Sequence, residues 1–243
     1  MHSRRFMRQG AKARIRHVCA HDEVKTVFQP LVKLESNECI AYEALSRFPD
    51  DVDWTTSEWF ATARELGEGA ALELAAVRAA LTHLDGIPPE TALAINVSPA
   101  VAVTDEFFEL VAPFAHRLII ELTEHEPVDD YTTVVAELDD LRSLGARIAI
   151  DDVGAGFASL RHILRLAPDI VKLDLSLTHG MEDGSGAHAL TAAMVGFAAD
   201  TGALIAAEGI ETDSELDLLR KLGIDHGQGY LLGRPGPINA HLN

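Results

Sequence analysis

Six side chains of this sequence stand where apolar runs end, at positions an ordinary core strand fills with another apolar residue. Ala94-Ile95 runs into Asn96 and Leu118-Ile119-Ile120 into Glu121. Ile148-Ala149-Ile150 runs into Asp151-Asp152, Leu204-Ile205-Ala206-Ala207 into Glu208, and an upstream segment ends the same way at Glu43-Ala44-Leu45. A sixth run, Ile170-Val171, meets a lysine, Lys172. A buried strand tipped by a charge is costly unless a metal or a counter-charge receives it. Taken singly, each acid is ordinarily a solvated or capping carboxylate. Repeated at strand after strand, the tips must converge on one place. Carboxylate and amide oxygens are hard ligands, suited to Mg²⁺ or Mn²⁺, so Glu43, Asn96, Glu121, Asp151, Asp152 and Glu208 form the expected metal shell. Successive side chains of a strand point to opposite faces. Asp151 and Asp152 therefore reach one site only where the strand ends and the chain turns, Asp151 bridging two ions and Asp152 serving the second. Lys172 is either a salt-bridge partner of Asp174 or Glu208, or the group that orients and helps deprotonate a bound water. The second role is preferred.

The elements that must position these residues alternate. The patterns predict strands over 26–33, 39–45, 92–97, 117–122, 147–151, 169–173, 203–207 and 229–232. Helical patterns lie between them near 57–84, 104–114, 129–144, 158–166, 186–201 and 213–222. Alternation of this kind argues for βαβ units, and 243 residues is near the size of one (β/α)₈ domain, which builds its site from the C-terminal ends of its strands. The first two strands are joined by too few residues for a crossover, so they form an antiparallel hairpin. Thr212 and Glu215 form a capping box, with Arg220, Lys221 and Gly223 at the other end of that helix. The expected organisation is a basic N-terminal extension or linker helix over 1–20, helical from Ala11 to Val24, and one barrel domain over 21–243.

Composition narrows the function. Hydrophobic residues make up 47% of the chain, and no apolar run is long enough to span a membrane. No secretory signal is visible, and Cys19 and Cys39 give no disulfide framework, so a reducing, cytoplasmic setting is expected. The net charge is −18. The first 20 residues hold six basic side chains and no acidic one, which leaves 14 basic against 38 acidic residues, or −24, on the body. Such a body repels a nucleic-acid polymer and accepts a phosphate-bearing ligand only with metal ions to reverse the local sign. Gly154-Ala155-Gly156 lacks the third glycine of a dinucleotide fingerprint and follows two aspartates, so it reads as a mobile loop beside the metals. No serine-hydrolase elbow or P-loop motif occurs.

These motifs, in this order, resemble the EAL-domain family of bacterial cyclic-di-GMP phosphodiesterases. The naming triplet is Glu43-Ala44-Leu45, followed by Ser46-Arg47 and preceded by Phe28-Gln29-Pro30. Asn96-Val97-Ser98, Glu121-Leu122-Thr123-Glu124, Asp151-Asp152, Lys172-Leu173-Asp174, Glu208-Gly209-Ile210-Glu211, Gln228-Gly229-Tyr230 and Gly233-Arg234-Pro235 follow. The resemblance implies an α/β fold, a modified TIM (β/α)₈ barrel with an antiparallel first strand. It implies hydrolysis of one phosphodiester bond of cyclic-di-GMP to linear pGpG with two Mg²⁺ or Mn²⁺ ions. Glu43, Asn96, Glu121 and Asp151 would hold the first ion; Asp151, Asp152 and Glu208 the second. Lys172 would contact the attacking water and Gln228 would help position it. Gln29, Leu45, Arg47 and Pro235 would contact substrate, with Arg47 on phosphate. Glu124 would anchor the loop from Asp152 to Ser159. A homodimer and an upstream sensor domain are implied as well. In that loop Val153, Ala155, Phe157 and Ala158 depart from the family's pattern, which leaves a weak or inactive cyclic-di-GMP-binding sensor module as the alternative. A further alternative is an enolase-like barrel with Lys172 as base.

Overall fold

The computed structural model describes residues 2–123, 130–154, 163–181 and 184–242. Its strands close into a barrel in chain order: β1 (Lys25–Lys33), β2 (Cys39–Arg47), β3 (Ala92–Val97), β4 (Leu118–Leu122), β5 (Arg147–Val153), β6 (Ile170–Leu173), β7 (Leu204–Ala207) and β8 (His226–Gly227). β1 runs antiparallel to β2 and to β8, and the other neighbours are parallel. The missing crossover after β1 predicted this hairpin. Its turn is closed by Lys33 N donating to Glu38 O at 2.8 Å, with Asn37 in the left-handed region at φ 59°.

Alternation decides what each strand face meets. One face forms the barrel interior, where Leu31, Ala41, Ala92, Ala94, Ile119, Ala149, Ile170 and Ala206 pack together, all nearly inaccessible. The opposite face packs against the surrounding helices in a larger core that includes Phe28, Ile95, Ile120, Val171 and Ile205 with Val77, Leu138 and Met194. Each such aliphatic side chain contributes roughly 1.5–3 kcal/mol when fully buried.

Several elements differ from the sequence pattern for identifiable reasons. The span 57–84 is two helices, Thr56–Glu65 and Gly69–Leu81, because the chain turns at Gly67, φ 72°. The span 104–114 holds the helix Asp105–Val111, followed by a 3₁₀ segment, Ala112–Arg117, at Pro113. The strand expected at 229–232 is instead β8 at 226–227. There Gly227 pairs with Ala207 and Val32, while Gly229 lies so close to Ile210 that a Cβ would stand 2.2 Å from its backbone N and O. β5 runs on to Val153 instead of ending at Asp151. The helices Tyr131–Ser143, Gly186–Thr201 and Asp213–Leu222 lie within a residue or two of their predicted spans, the last with its capping box and with Gly223 at φ 84°. Of the helix expected over 158–166, residues 163–166 are helical and the rest lie outside the described residues. The leading helix spans His2–Ala20, and its Ile15 and Val18 are wholly buried against Trp59, Ala63 and Leu72. Lys12 Nζ donates to Leu66 O at 2.9 Å and pairs with Glu68 at 2.9 Å. Among the described residues, no helix is long and apolar enough to cross a membrane.

Candidate metal and substrate site

The inward face of each strand continues one step past the apolar interior, and that step carries the chemistry. Two residues on from Ala41, Ala94, Ile119, Ala149, Ile170 and Ala206 stand Glu43, Asn96, Glu121, Asp151, Lys172 and Glu208. Two residues on from His226, at the end of β8, stands Gln228. β1 runs the other way, so its contribution lies two residues before Leu31, at Gln29, directly opposite Glu43 in the register.

Asp152 joins this layer through a β-bulge. The register of β5 on β6 shifts between Ile150 and Val153, and Asp152 takes φ 57°. The extra residue lets adjacent carboxylates serve one cluster while the strand goes on, where the sequence predicted that it would stop.

The carboxylates fall into two groups whose ligand oxygens all lie within 4.8 Å of one another: Glu43, Glu121 and Asp151, and then Asp151, Asp152 and Glu208. Asp151 belongs to both. Lys172, 1% exposed, reaches Glu208 at 2.7 Å, Glu121 at 2.9 Å, Asp151 at 3.0 Å and Glu43 at 3.5 Å. Asp174 caps the helix Leu175–Thr178 through Ser176 N at 2.9 Å. Gln228 Nε2 donates to Glu43 Oε2 at 2.7 Å and to Gln29 Oε1 at 3.1 Å, and Gln29 Nε2 donates to Gly233 O at 3.0 Å. Asn96 Nδ2 donates to Glu43 Oε1 at 2.8 Å.

The electrostatics of this cluster fit divalent cations. Fully ionised, five carboxylates against one ammonium carry four negative charges, which two divalent cations balance. Among the described residues, the buried Glu121 Oε1 and Gln228 Oε1 have no hydrogen-bond partner, and Asp151 Oδ1 pairs with Lys172 without receiving a hydrogen bond. Buried oxygens without donors are costly, and a cation among them satisfies several at once. Burial pushes the Glu121 carboxyl well above the ordinary range, against the pull of Lys172. Burial likewise raises Glu208 to about 8, with Lys172 drawing it down and Asp151 and Glu43 pushing it up. Burial alone would lower Lys172, but Asp151, Glu121, Glu208 and Glu43 outweigh it and hold the ammonium well above its usual value.

A cavity of about 520 Å³ opens beside the cluster, lined by Leu45, Phe60, Arg64, Asn96, Asp151 and Asp152 among others. A larger groove of about 790 Å³ lies between Lys25, Arg78 and Phe114, and its lining includes none of the metal-shell residues. Arg47 stands apart from the acids, exposed, its guanidinium donating to Ser46 O at 2.8 Å. Pro235 is half-buried on the segment after Gly233 that returns to β1 through the Phe28–Gly236 bridge. Phe60 and Arg64, on the helix Thr56–Glu65, were missed from sequence. Their spacing puts both on one helix face, but nothing in the pattern says that this face borders a cavity. Glu124, and the loop to Ser159 beyond Gly154, lie outside the described residues.

Fold and site together define a mixed (β/α)₈ barrel with an acidic, divalent-cation type of mouth. A family model described as the EAL domain matches residues 12–235. The chain belongs to the EAL domain family. It is 32% identical over 224 residues to a cyclic di-GMP phosphodiesterase of Pseudomonas aeruginosa, covering 86% of this chain and 38% of that protein. The PaMucR phosphodiesterase, solved as a c-di-GMP complex, is 26% identical with a TM-score of 0.79, over 90% of this chain and 100% of that one. Klebsiella pneumoniae BlrP1, solved with manganese and c-di-GMP, is 28% identical with a TM-score of 0.77, over 88% and 56%. The chain spans 29% to 32% of the length of the first curated relatives it matches.

Proposed function

We propose that this chain hydrolyses cyclic di-GMP to linear pGpG. The observation that carries the reading is the pair of carboxylate groups sharing Asp151, closed by the ammonium of Lys172. Glu43, Asn96, Glu121 and Asp151 would hold one Mg²⁺ or Mn²⁺ ion, and Asp151, Asp152 and Glu208 a second. Two such ions, when bound, stabilise the attacking and leaving oxygens of an in-line displacement and lower the pKa of water.

The chain's own residues supply the rest. Asn96 directs its NH₂ at Glu43, which leaves its carbonyl oxygen as the neutral ligand. Gln228 fixes Glu43 from the other side and holds Gln29. Gln29 in turn grips the Gly233 carbonyl, two residues before Pro235, so the substrate-facing loop is tied to the acid layer. Lys172, held as an ammonium, offers its protons to the attacking water and to the charge that develops on phosphate. Leu45 lines the cavity, and Arg47, one strand step further out, takes a phosphate. A homodimer in the cytoplasm, driven by a preceding sensory domain, is the expected context, in keeping with relatives about three times as long.

The test is chromatography of cyclic di-GMP incubated with the chain in Mg²⁺, in Mn²⁺ and in chelator, with Glu43→Ala alongside. Metal-dependent pGpG that vanishes in the variant is the expected result. Intact substrate in every metal, despite measurable binding, refutes the hydrolase and leaves a cyclic di-GMP-binding module.

A further inference from the structure

Glu208 follows the last residue of β7, and the chain turns at once through Gly209, φ 69°. The β7 ladder therefore holds only one side of it. One side chain outside the acid cluster holds the other directly, and a second ties down the residues that follow. Thr178, 1% exposed on the helix Leu175–Thr178 that follows β6, donates its hydroxyl to the Glu208 carbonyl. Glu215, 5% exposed on the helix Asp213–Leu222, accepts from Gly180 N at 2.8 Å, Glu211 N at 2.9 Å and Thr212 N at 3.0 Å.

A capping box needs only the bond from Thr212. The bond from Gly180 reaches 35 residues back and ties the turn after the helix Leu175–Thr178 to the segment after β7. β6 carries Lys172 and Glu208 directly follows β7, and their side chains meet at 2.7 Å. The start of that helix also presses on the turn after β7, since a Cβ on Gly209 would stand 2.8 Å from Leu175 Cβ. Burial alone would raise the Glu215 carboxyl, but its backbone donors outweigh burial and hold it below the ordinary range, so the brace is ionised at neutral pH.

We propose that Thr178 and Glu215 are positioning residues for the Asp151–Asp152–Glu208 group, setting where the Glu208 carboxylate stands relative to the two aspartates. The inference rests on the two-ion reading above. Partners that orient a metal ligand typically change metal affinity 10–100-fold when removed.

The test is Mn²⁺ titration of the full chain without substrate, followed calorimetrically and by the electron paramagnetic resonance of free Mn²⁺. Thr178→Val and Glu215→Gln are compared with Thr104→Ala, which removes a helix cap remote from the acids, the bond from Phe107 N. The expected result is two ions on the unmodified chain, with one of them weakened about 10–100-fold in each brace variant. The second ion and the Thr104→Ala titration stay unchanged, and Thr178→Ser restores the loss. Unaltered binding of both ions by Thr178→Val and Glu215→Gln overturns the proposal. So does an equal loss in Thr104→Ala, which would mark general destabilisation. If Thr178→Val fails to fold, Glu215→Gln decides alone. An unmodified chain that takes up no Mn²⁺ refutes the two-ion reading itself, and the brace with it.

Discussion

Replacing Lys172 by methionine tests how the acid layer is held without metal. The ammonium stands within 2.7–3.5 Å of four carboxylates and is 1% exposed, so no water replaces it without reorganising the barrel. Removing one partner of a buried ion pair costs about 3–5 kcal/mol, because the remaining charge is left uncompensated. For a chain of this size each kcal/mol shifts the melting temperature by about 2–4 °C, so Lys172→Met should melt roughly 6–20 °C lower in chelator. The pH sign follows from Glu208. A carboxyl raised in the folded state to about 8 contributes stability below its unfolded pKa and loses it as pH rises through the folded value. Without Lys172 that rise is larger, so the deficit should be deeper at pH 8 than at pH 6. Mn²⁺ should then recover more stability in the variant than in the unmodified chain. At 100 times its Kd, a bound ion adds about 2.7 kcal/mol, or roughly 5–11 °C. Scanning calorimetry in chelator and in Mn²⁺, at both pH values, reads all of this. A variant that melts within 2 °C of the unmodified chain in chelator at pH 8 would refute the claim that Lys172 neutralises buried carboxylates.

Asp152 occupies a left-handed backbone position that Asn adopts readily and a β-branched residue does not. Asp152→Asn should therefore keep the fold while losing one Mn²⁺ ion, whereas Asp152→Val should also melt lower, by the equivalent of about 1–3 kcal/mol; equal melting temperatures would argue against the bulge. At the other end of the barrel, burial holds the His226 imidazole below its usual 6.5, with Asp225 pulling upward and Arg147 and Lys33 downward. The imidazole stays neutral in the folded chain and charges in the unfolded one, so stability falls as pH drops below 6.5. His226→Gln should flatten that fall, measured by urea unfolding at successive pH values.

The acid tips were legible because a carboxylate at the end of an apolar run has few structural uses, and because the period of two that buries Ala94 and Ala149 also aims Asn96 and Asp151. β8 was not legible. Two residues carry no periodicity, and Leu231-Leu232 imitates a strand while the chain there turns back on itself, Leu232 N and Gly233 N both donating to Gly229 O. At Asp152 the turn was read but not the continuation to Val153, since a bulge is decided by the pairing of β5 with β6 and not by local propensity. The brace escaped for a different reason. Glu215 had already been assigned its local role in the capping box, and a buried threonine on a four-residue helix leaves no pattern at all.

The direction of β1 gives the site its polarity. Parallel strands deliver the residue two steps beyond the apolar interior, and β3 to β7 deliver Asn96, Glu121, Asp151, Lys172 and Glu208. The antiparallel strand delivers Gln29, and its neighbour β8 is followed by Gln228, so the acids meet a wall of neutral amides on one side. Further out on that side the hairpin register sets Lys25 opposite Arg47, two exposed cations at the mouth. On the proposed function, a dianionic diester approaching a body of charge −24 would meet its first attractive field there. It can then pass along Leu45 into the cavity beside Asn96 and Asp151. If the hairpin sets the entry side, Arg47→Ala and Lys25→Ala should each raise KM with little change in kcat, and increasingly so at low ionic strength, where screening is weakest. A loss confined to kcat would place both cations at the reacting phosphate instead.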